Sequence, residues 1–430
     1  MERITTTDAV FNTARELPEN YIVRDHVDNE FIEALSKNTH IVVHGSSKQG
    51  KTSLRKKHFI EGDYICITCQ NNWTLCDIHE AILKKVGYQV STSQSVTIKG
   101  AHKINLTYKV GQFTAGTEVS AEHAKQINKK GMELDAGNVN EIVEALNEIS
   151  FKRYIILEDF HYLNENTQID FSVALKAFLE DSDFSFIIIG VWLEEDRLTI
   201  HNGDLAGRIH SINADKWLDS DFDQLFEASE ALLHIRFDDE FKKLVKKYSN
   251  GSIFLVQKIC ELACKKEKVY QTQINVVEVG KSFEVRSEIK KILESESGRY
   301  TKFLMDFSSG FAATDLDLYK WIIYALIEEE KKYLELGLTA QAMLRTIRKK
   351  HPKSSSVSIN KLLGALSKSV DLQSDKKIKP IVFEYDKNRS RVKIVDKRFL
   401  LWREFQEKNE LYELIDINEE LKGTNTQIGS

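Results

Sequence analysis

The chain has 430 residues, room for two or three domains that each bury a core. Its 42% hydrophobic and 29% charged residues, with a net charge of −5, exclude a disordered, collagen-like or disulfide-stapled protein. No apolar run reaches the roughly eighteen residues of a membrane span, and the polar start MERITTTDAVFNTARELPEN is no secretory leader, so a cytoplasmic protein is expected.

Residues 1 to about 38 predict a helical entry to the first domain, with apolar positions in DHVDNEFIEALSK at helical spacing. HIVVHG (40–45) is a short apolar run that stops at glycine and predicts a fully buried strand. The loop GSSKQGKT (45–52) has the spacing G-x-x-x-x-G-K-[ST] and runs into a helix, KTSLRKKHFI. DYICITCQ predicts a second strand and WTLCDIHEAILKKVGY an amphipathic helix. Within a predicted insertion at about 91–136, SVTIKGAHKINLTYKV alternates with period two around a glycine and predicts a β-hairpin. FKRYIILEDFHYL carries a third strand (153–158), FSVALKAFLEDS a helix and FSFIIIGVW a fourth strand. Apolar strands alternating with helices predict a parallel sheet covered on both faces.

From about residue 220 the pattern turns helical, through SDFDQLFEASEALL, DDEFKKLVKKYS, SIFLVQKICELACKK and SFEVRSEIKKILES. A last block begins near Asp315 with LDLYKWIIYALIEEE, TAQAMLRTIRKKH and SINKLLGALSKSV, then IVFEYD and RVKIVD joined by KNRS. Three helices followed by a two-stranded ribbon is the order of a winged helix-turn-helix. The expected fold is therefore an α/β P-loop core (1–218), an all-helical lid (219–314), a winged-helix domain (315–405) and a frayed tail (406–430). Five scattered cysteines read as buried small hydrophobes. Cys66 and Cys69 fall on opposite faces of one strand, a poor start for a zinc site.

Each position of the loop has a mechanical use. Gly45 and Gly50 let the backbone of Ser46, Ser47, Lys48 and Gln49 wrap phosphate oxygens with its amides. The helix entered at Lys51, Thr52 and Ser53 adds its positive end. Lys51 would reach the β- and γ-phosphates of ATP, and the Thr52 hydroxyl would complete a Mg²⁺ shell. A magnesium-binding acid is needed at the end of a neighbouring strand, and YIILEDFHYL offers Glu158 and Asp159. By position Glu158 holds Mg²⁺ through its water shell and Asp159 orients or deprotonates the attacking water. The pair is inverted from the usual aspartate–glutamate order, and both acids capping the next helix is the alternative. His44 and His161, beside the two motifs, read as packing residues.

With GSSKQGKT, the acids of ILEDFHYL, the strand FIIIGVW, a helical lid and a winged helix, the chain resembles the AAA+/STAND ATPases over nearly its whole length. The initiator-type and archaeal-ATPase-like branches are the nearest in architecture. The resemblance implies an extra strand between the P-loop and acidic strands, and an N-terminal arginine beside the base, a place that Arg24 in NYIVRDHVDNEF fills. It also implies a polar sensor ending the fourth strand, where this chain offers only Gly190 and Trp192, and a lid arginine, which SNGSIFLVQK lacks. Arg208 in NGDLAGRIHSI stands where such families keep an arginine finger, acting within the chain or on a neighbouring subunit. A salt bridge to Asp204 at i, i+4 explains it equally well. Missing sensors imply slow hydrolysis, a switch more than a motor.

Charge is uneven. From Gly337 to Arg403, 17 Lys and Arg face five acids, a net of +12, which leaves −17 for the rest. Arg345, Arg348, Lys349, Lys350 and Lys353 end the second helix of this block, Lys361 and Lys368 lie on the third, and Lys387, Arg389, Arg391 and Lys393 on the wing. Such a set would neutralise phosphates of double-stranded DNA, while Ser358, Asn360 and Lys361 could read base edges. Winged helices also dock proteins, so an effector protein is the other partner. The sequence predicts an ATP-binding, slowly hydrolysing switch that homo-oligomerises and binds DNA or a partner, in DNA transactions or phage defence. A non-catalytic, ATP-responsive DNA-binding regulator is the alternative.

Overall fold

A computed structural model describes residues 4–14, 16–92, 102–108, 132–192, 198–199, 202–295, 297–387 and 389–417. The chain divides into two compact units, Asn12–Ala228 and Met1–Phe11 with Ser229–Ser430.

In Asn12–Ala228 the strands are β1 (His40–His44), β2 (Tyr64–Thr68), β3 (Tyr88–Thr92), β4 (Lys103–Tyr108), β5 (Met132–Asp135), β6 (Tyr154–Glu158), β7 (Phe186–Ile189) and β8 (Ile209–Asn213). Five of them form a parallel sheet in the order β2-β6-β7-β1-β8. Strand β7 is the extra strand between the P-loop strand β1 and the acidic strand β6. Both faces are covered, so the central strands β6, β7 and β1 are largely apolar and adjacent residues feed different cores. Ile41, Val43, Ile156, Ile187 and Ile189 pack with Val27, Phe31 and Leu54 on one side. Val42, Ile155, Leu157, Phe186 and Ile188 pack with Ile78, Leu146, Phe171 and Phe178 on the other. Each such side chain contributes roughly 1.5–3 kcal/mol by leaving water. The register sets Thr68 beside Glu158, Val43 beside Ile189 and His44 beside Asn213, so the loop after β1 and the acids ending β6 share one edge.

The predicted insertion contributes an antiparallel sheet in the order β3-β4-β5. Its β4 is the second strand of the expected hairpin and pairs with residues 88–92. The expected first strand, around residues 95–99, lies outside the described residues.

The second unit departs from expectation in three places. Residues 4–11, read as the entry to the ATPase core, pair instead with the later chain. Thr7 donates its N–H to Tyr270 O and its hydroxyl to Val269 O, while Val10 and Phe11 are buried. The expected all-helical segment holds the helices Asp239–Ser249, Ile253–Lys266, Val285–Ser295 and Ser297–Ser308. It also holds a parallel pair, β9 (Ile235–Phe237) and β10 (Val277–Val279). Strands of three residues are too short to show alternation. The tail expected to fray after 406 includes a helix, Lys408–Leu414, with Leu411, Ile415 and Ile417 buried.

The basic block has the helices Leu318–Glu328, Ala340–Arg348 and Ile359–Leu366, and the strands β11 (Leu338–Thr339), β12 (Phe383–Asp386) and β13 (Arg391–Ile394). The strands form an antiparallel sheet in the order β11-β13-β12. Among the described residues no helix is long and apolar enough to cross a membrane.

Candidate functional site

The loop 45–50 leaves β1 and enters the helix Lys51–His58. Its backbone takes positive φ at Gly45 (136°), Lys48 (61°) and Gly50 (88°). Alternation of this kind turns successive amides inward, and glycine supplies it at two of the three positions without strain. Lys48 is exposed, while Gln49 is 5% and Lys51 9% exposed. Lys51 Nζ donates to Gly45 O at 2.9 Å and Ser46 O at 2.6 Å. Burial lowers its ammonium to about 8, against the charges of Asp215 and Asp159, which raise it. Thr52 is exposed on the first turn and Ser53 half-buried. An inward-turned backbone, a buried lysine and a helix N-terminus suit a polyphosphate.

The two acids at the end of β6 part company. Glu158 faces the P-loop helix, where its Oε1 accepts from Arg55 Nε at 3.0 Å; Arg55 also donates to the Tyr64 hydroxyl at 2.9 Å. Asp159 sits in the left-handed region at φ 57°. Burial, then the neighbouring Glu158 charge, raises its carboxyl above the usual range, and Lys51 opposes the shift. Asp159 is thus the acid electrostatically coupled to Lys51. The metal-holding role expected of Glu158 has a competitor that the sequence did not reveal, Arg55. No group of three or more potential metal ligands occurs among the described residues, so magnesium here would rest on Thr52, one of these acids and the phosphates themselves.

The fourth core strand explains its missing sensor. A Cβ on Gly190 would lie 1.6 Å from the Trp192 ring, which folds back over it. Trp192 is 1% exposed, and its carbonyl accepts the Gly45 N–H at 3.0 Å. The end of β7 therefore anchors the start of the P-loop with packing where a polar side chain was expected. His44 is fully buried at the end of β1, and the His161 ring lies tilted against Tyr162 with ring centres 4.2 Å apart.

The within-chain half of the Arg208 expectation does not hold. Arg208 precedes β8 and donates its N–H to Leu205 O; His40, the first residue of β1, donates to its carbonyl. It thus lies at the edge of the sheet opposite the P-loop, about 15 Å away along a five-residue strand. Its ion pair is with Glu180 at 2.5 Å, while Asp204 pairs with Lys176 at 2.7 Å. Within one chain Arg208 has no access to the loop.

Arg24 is near the loop but 2% exposed. It donates to Ala214 O at 2.9 Å and Lys216 O at 3.3 Å, and its guanidinium lies 4.0 Å from the Trp217 ring centre. Trp217 in turn donates Nε1 to Gln49 O at 3.3 Å. Asp215 accepts from the Ser46 N–H at 2.7 Å and the Ser46 hydroxyl at 2.8 Å. The sequence reading missed Asp215 and Trp217. Their signal was ADKW directly after β8, at the sheet edge where the P-loop also ends.

Several of the DNA candidates also bond to nearby groups of the chain. Arg348 donates to Val357 O at 2.9 and 2.6 Å, and Arg391 to Gly337 O at 2.8 Å. Lys361 Nζ donates to Ser356 O at 3.1 Å. Ser358 caps its helix by accepting the Lys361 N–H at 3.4 Å. Arg389 reaches Asp386 at 4.0 Å and Lys350 is half-buried. Arg345, Arg348, Lys349, Asn360, Lys361 and Arg389 are exposed.

No family model matches the chain, and no curated protein matches it. Among solved structures it is similar to the Walker-type ATPase of Pyrococcus abyssi, at 12% identity and TM-score 0.47 over 92% of this chain and 100% of that one. It is similar to the Orc1 protein of Aeropyrum pernix in complex with DNA, at 12% identity and TM-score 0.41 over 95% and 97% of the two chains. It is also similar to Cdc6p of Pyrobaculum aerophilum, at 13% identity and TM-score 0.38 over 96% and 98%. On its own sheet order and loop, the chain is a P-loop protein with an α/β core.

Proposed function

We propose that the chain binds ATP with magnesium at the loop after β1, hydrolyses it slowly, and uses its nucleotide state to govern self-assembly and the hold of its C-terminal block on duplex DNA. The observation that carries this reading is the loop itself. Its positive-φ backbone at Gly45, Lys48 and Gly50 leads into a helix whose first residue is the buried Lys51. Lys51 would exchange two backbone carbonyls for phosphate oxygens, a stronger, charge-assisted pairing. Magnesium, when bound beside Thr52 and an acid of the 158–159 pair, would draw charge off the phosphates. Asp159, already coupled to Lys51, is the acid we assign to orienting the attacking water, and its raised pKa suits a proton acceptor. Arg345, Lys349 and Asn360 would face the duplex, and Arg348 and Arg391 would hold the surrounding loops. Arg208 could act only on a neighbouring subunit.

A second reading, an ATP-responsive DNA-binding regulator without hydrolysis, is favoured by the engagement of Glu158 with Arg55. Turnover and binding measured in Asp159→Asn and Glu158→Gln separate the two. A hydrolase governed by Asp159 loses about 100-fold in turnover in the first variant while keeping its ATP affinity. Equal, background turnover in the native chain and both variants would leave the regulator.

A further inference from the structure

The P-loop carries an anion of its own. Ser46 gives both its N–H and its hydroxyl to the Asp215 carboxylate, at 2.7 and 2.8 Å. A Cβ on Gly45 would stand 2.7 Å from Asp215 Oδ1 and 3.3 Å from Asp215 N. The first glycine of the motif is therefore required by an acid of this chain as well as by its φ of 136°.

Asp215 belongs to a strap, 214–217, that is tied at every residue. Arg24 holds the carbonyls of Ala214 and Lys216, and His26 Nε2 meets Lys216 O at 2.9 Å. The Asp215 N–H donates to Asn213 Oδ1 at 2.9 Å. Trp217 donates to Gln49 O, stacks on Phe222 with ring centres 5.6 Å apart, and lies 3.7 Å from the position a Gly50 Cβ would take. One short segment thus touches the loop at both of its glycines.

Resting on the nucleotide-binding reading, we infer that Asp215 is an affinity-setting residue. Its carboxylate holds the mouth of the P-loop in competition with the phosphates of the nucleotide, and the strap shifts when phosphate takes the loop. The reason is charge. Lys51 is counterbalanced in this buried place by Asp215 and Asp159. A polyphosphate claiming Lys51 leaves Asp215 as a like-charged neighbour that must be tolerated or displaced. One such charge at roughly 6–8 Å and intermediate dielectric is worth about tenfold in affinity.

The test is calorimetric titration of Mg-ATP into the full native chain, Asp215→Asn and Ser46→Ala, with Trp217 emission taken as the difference from Trp217→Phe. Asp215→Asn is expected to bind about tenfold tighter, and Ser46→Ala, which cuts one tie, about threefold tighter. In the native chain ATP should change the Trp217 emission. If the asparagine variant does not fold, Ser46→Ala carries the test. Binding by the native chain with equal or weaker affinity in the folded variants overturns the inference alone. No binding by the native chain overturns the nucleotide reading, and the inference falls with it.

Discussion

Gly190 shows how a single residue can be required by packing. A methyl group there would occupy the Trp192 ring, which is fully buried and has no room to swing away. Gly190→Ala should cost about 1–3 kcal/mol by overpacking. Gly203, whose Cβ would meet nothing within 4 Å, is the control and should change little. Equal urea midpoints for the two alanine variants would contradict this account of β7. The P-loop was legible at this scale because its chemistry is local: glycines, lysine and threonine act within eight consecutive residues. Asp215 was not, since it lies 169 residues from Ser46 and only the β1–β8 pairing brings them together. The place of Arg208, at the edge of the sheet away from the loop, was hidden for a related reason: it is a property of strand direction, which no local pattern records.

At the scale of elements, β1 and the helix Leu75–Lys85 each contain a buried neutral histidine. His40 donates Nε2–H to Leu175 O at 2.9 Å and accepts the Phe186 N–H on Nδ1 at 3.1 Å, which leaves no place for a second proton. His79 is bonded to Ala136 O at 2.7 Å. Burial lowers both to about 4. The unfolded chain takes up these protons near pH 6.5 and the fold does not. Stability from this source is therefore complete above about pH 6.5 and falls as pH drops toward 4. The loss is roughly 2 kcal/mol per histidine between pH 7 and pH 5. A urea midpoint unchanged over that interval would refute it. Four of the five core strands were readable because each is a short, largely apolar run between breakers, whereas β8, with His210, Ser211 and Asn213 in its five residues, was not. The pair β9 and β10 was not, because three residues carry no period.

For the whole molecule, the charge split is the feature that composition alone disclosed. Its use depends on which cations the fold leaves exposed. If the C-terminal block binds duplex DNA, affinity should fall steeply with salt. Replacing Arg345 and Lys349 together by alanine should then reduce the slope of log K against log salt by about 2. A slope unchanged in the double variant would move the interface elsewhere. The α/β core with its P-loop could be read from the sequence. The return of residues 4–11 to the later chain could not, since the bonds from Thr7 reach carbonyls at Val269 and Tyr270, far along the sequence, that no local pattern marks.

The central claim is that the loop after β1 holds a nucleotide through Lys51. Titration of Mg-ATP into the native chain and Lys51→Ala tests it most directly, with circular dichroism to confirm that both are folded. Saturable binding by the native chain, weakened about 100-fold or more in the variant, is the predicted result. Undiminished affinity in a folded Lys51→Ala chain would contradict it.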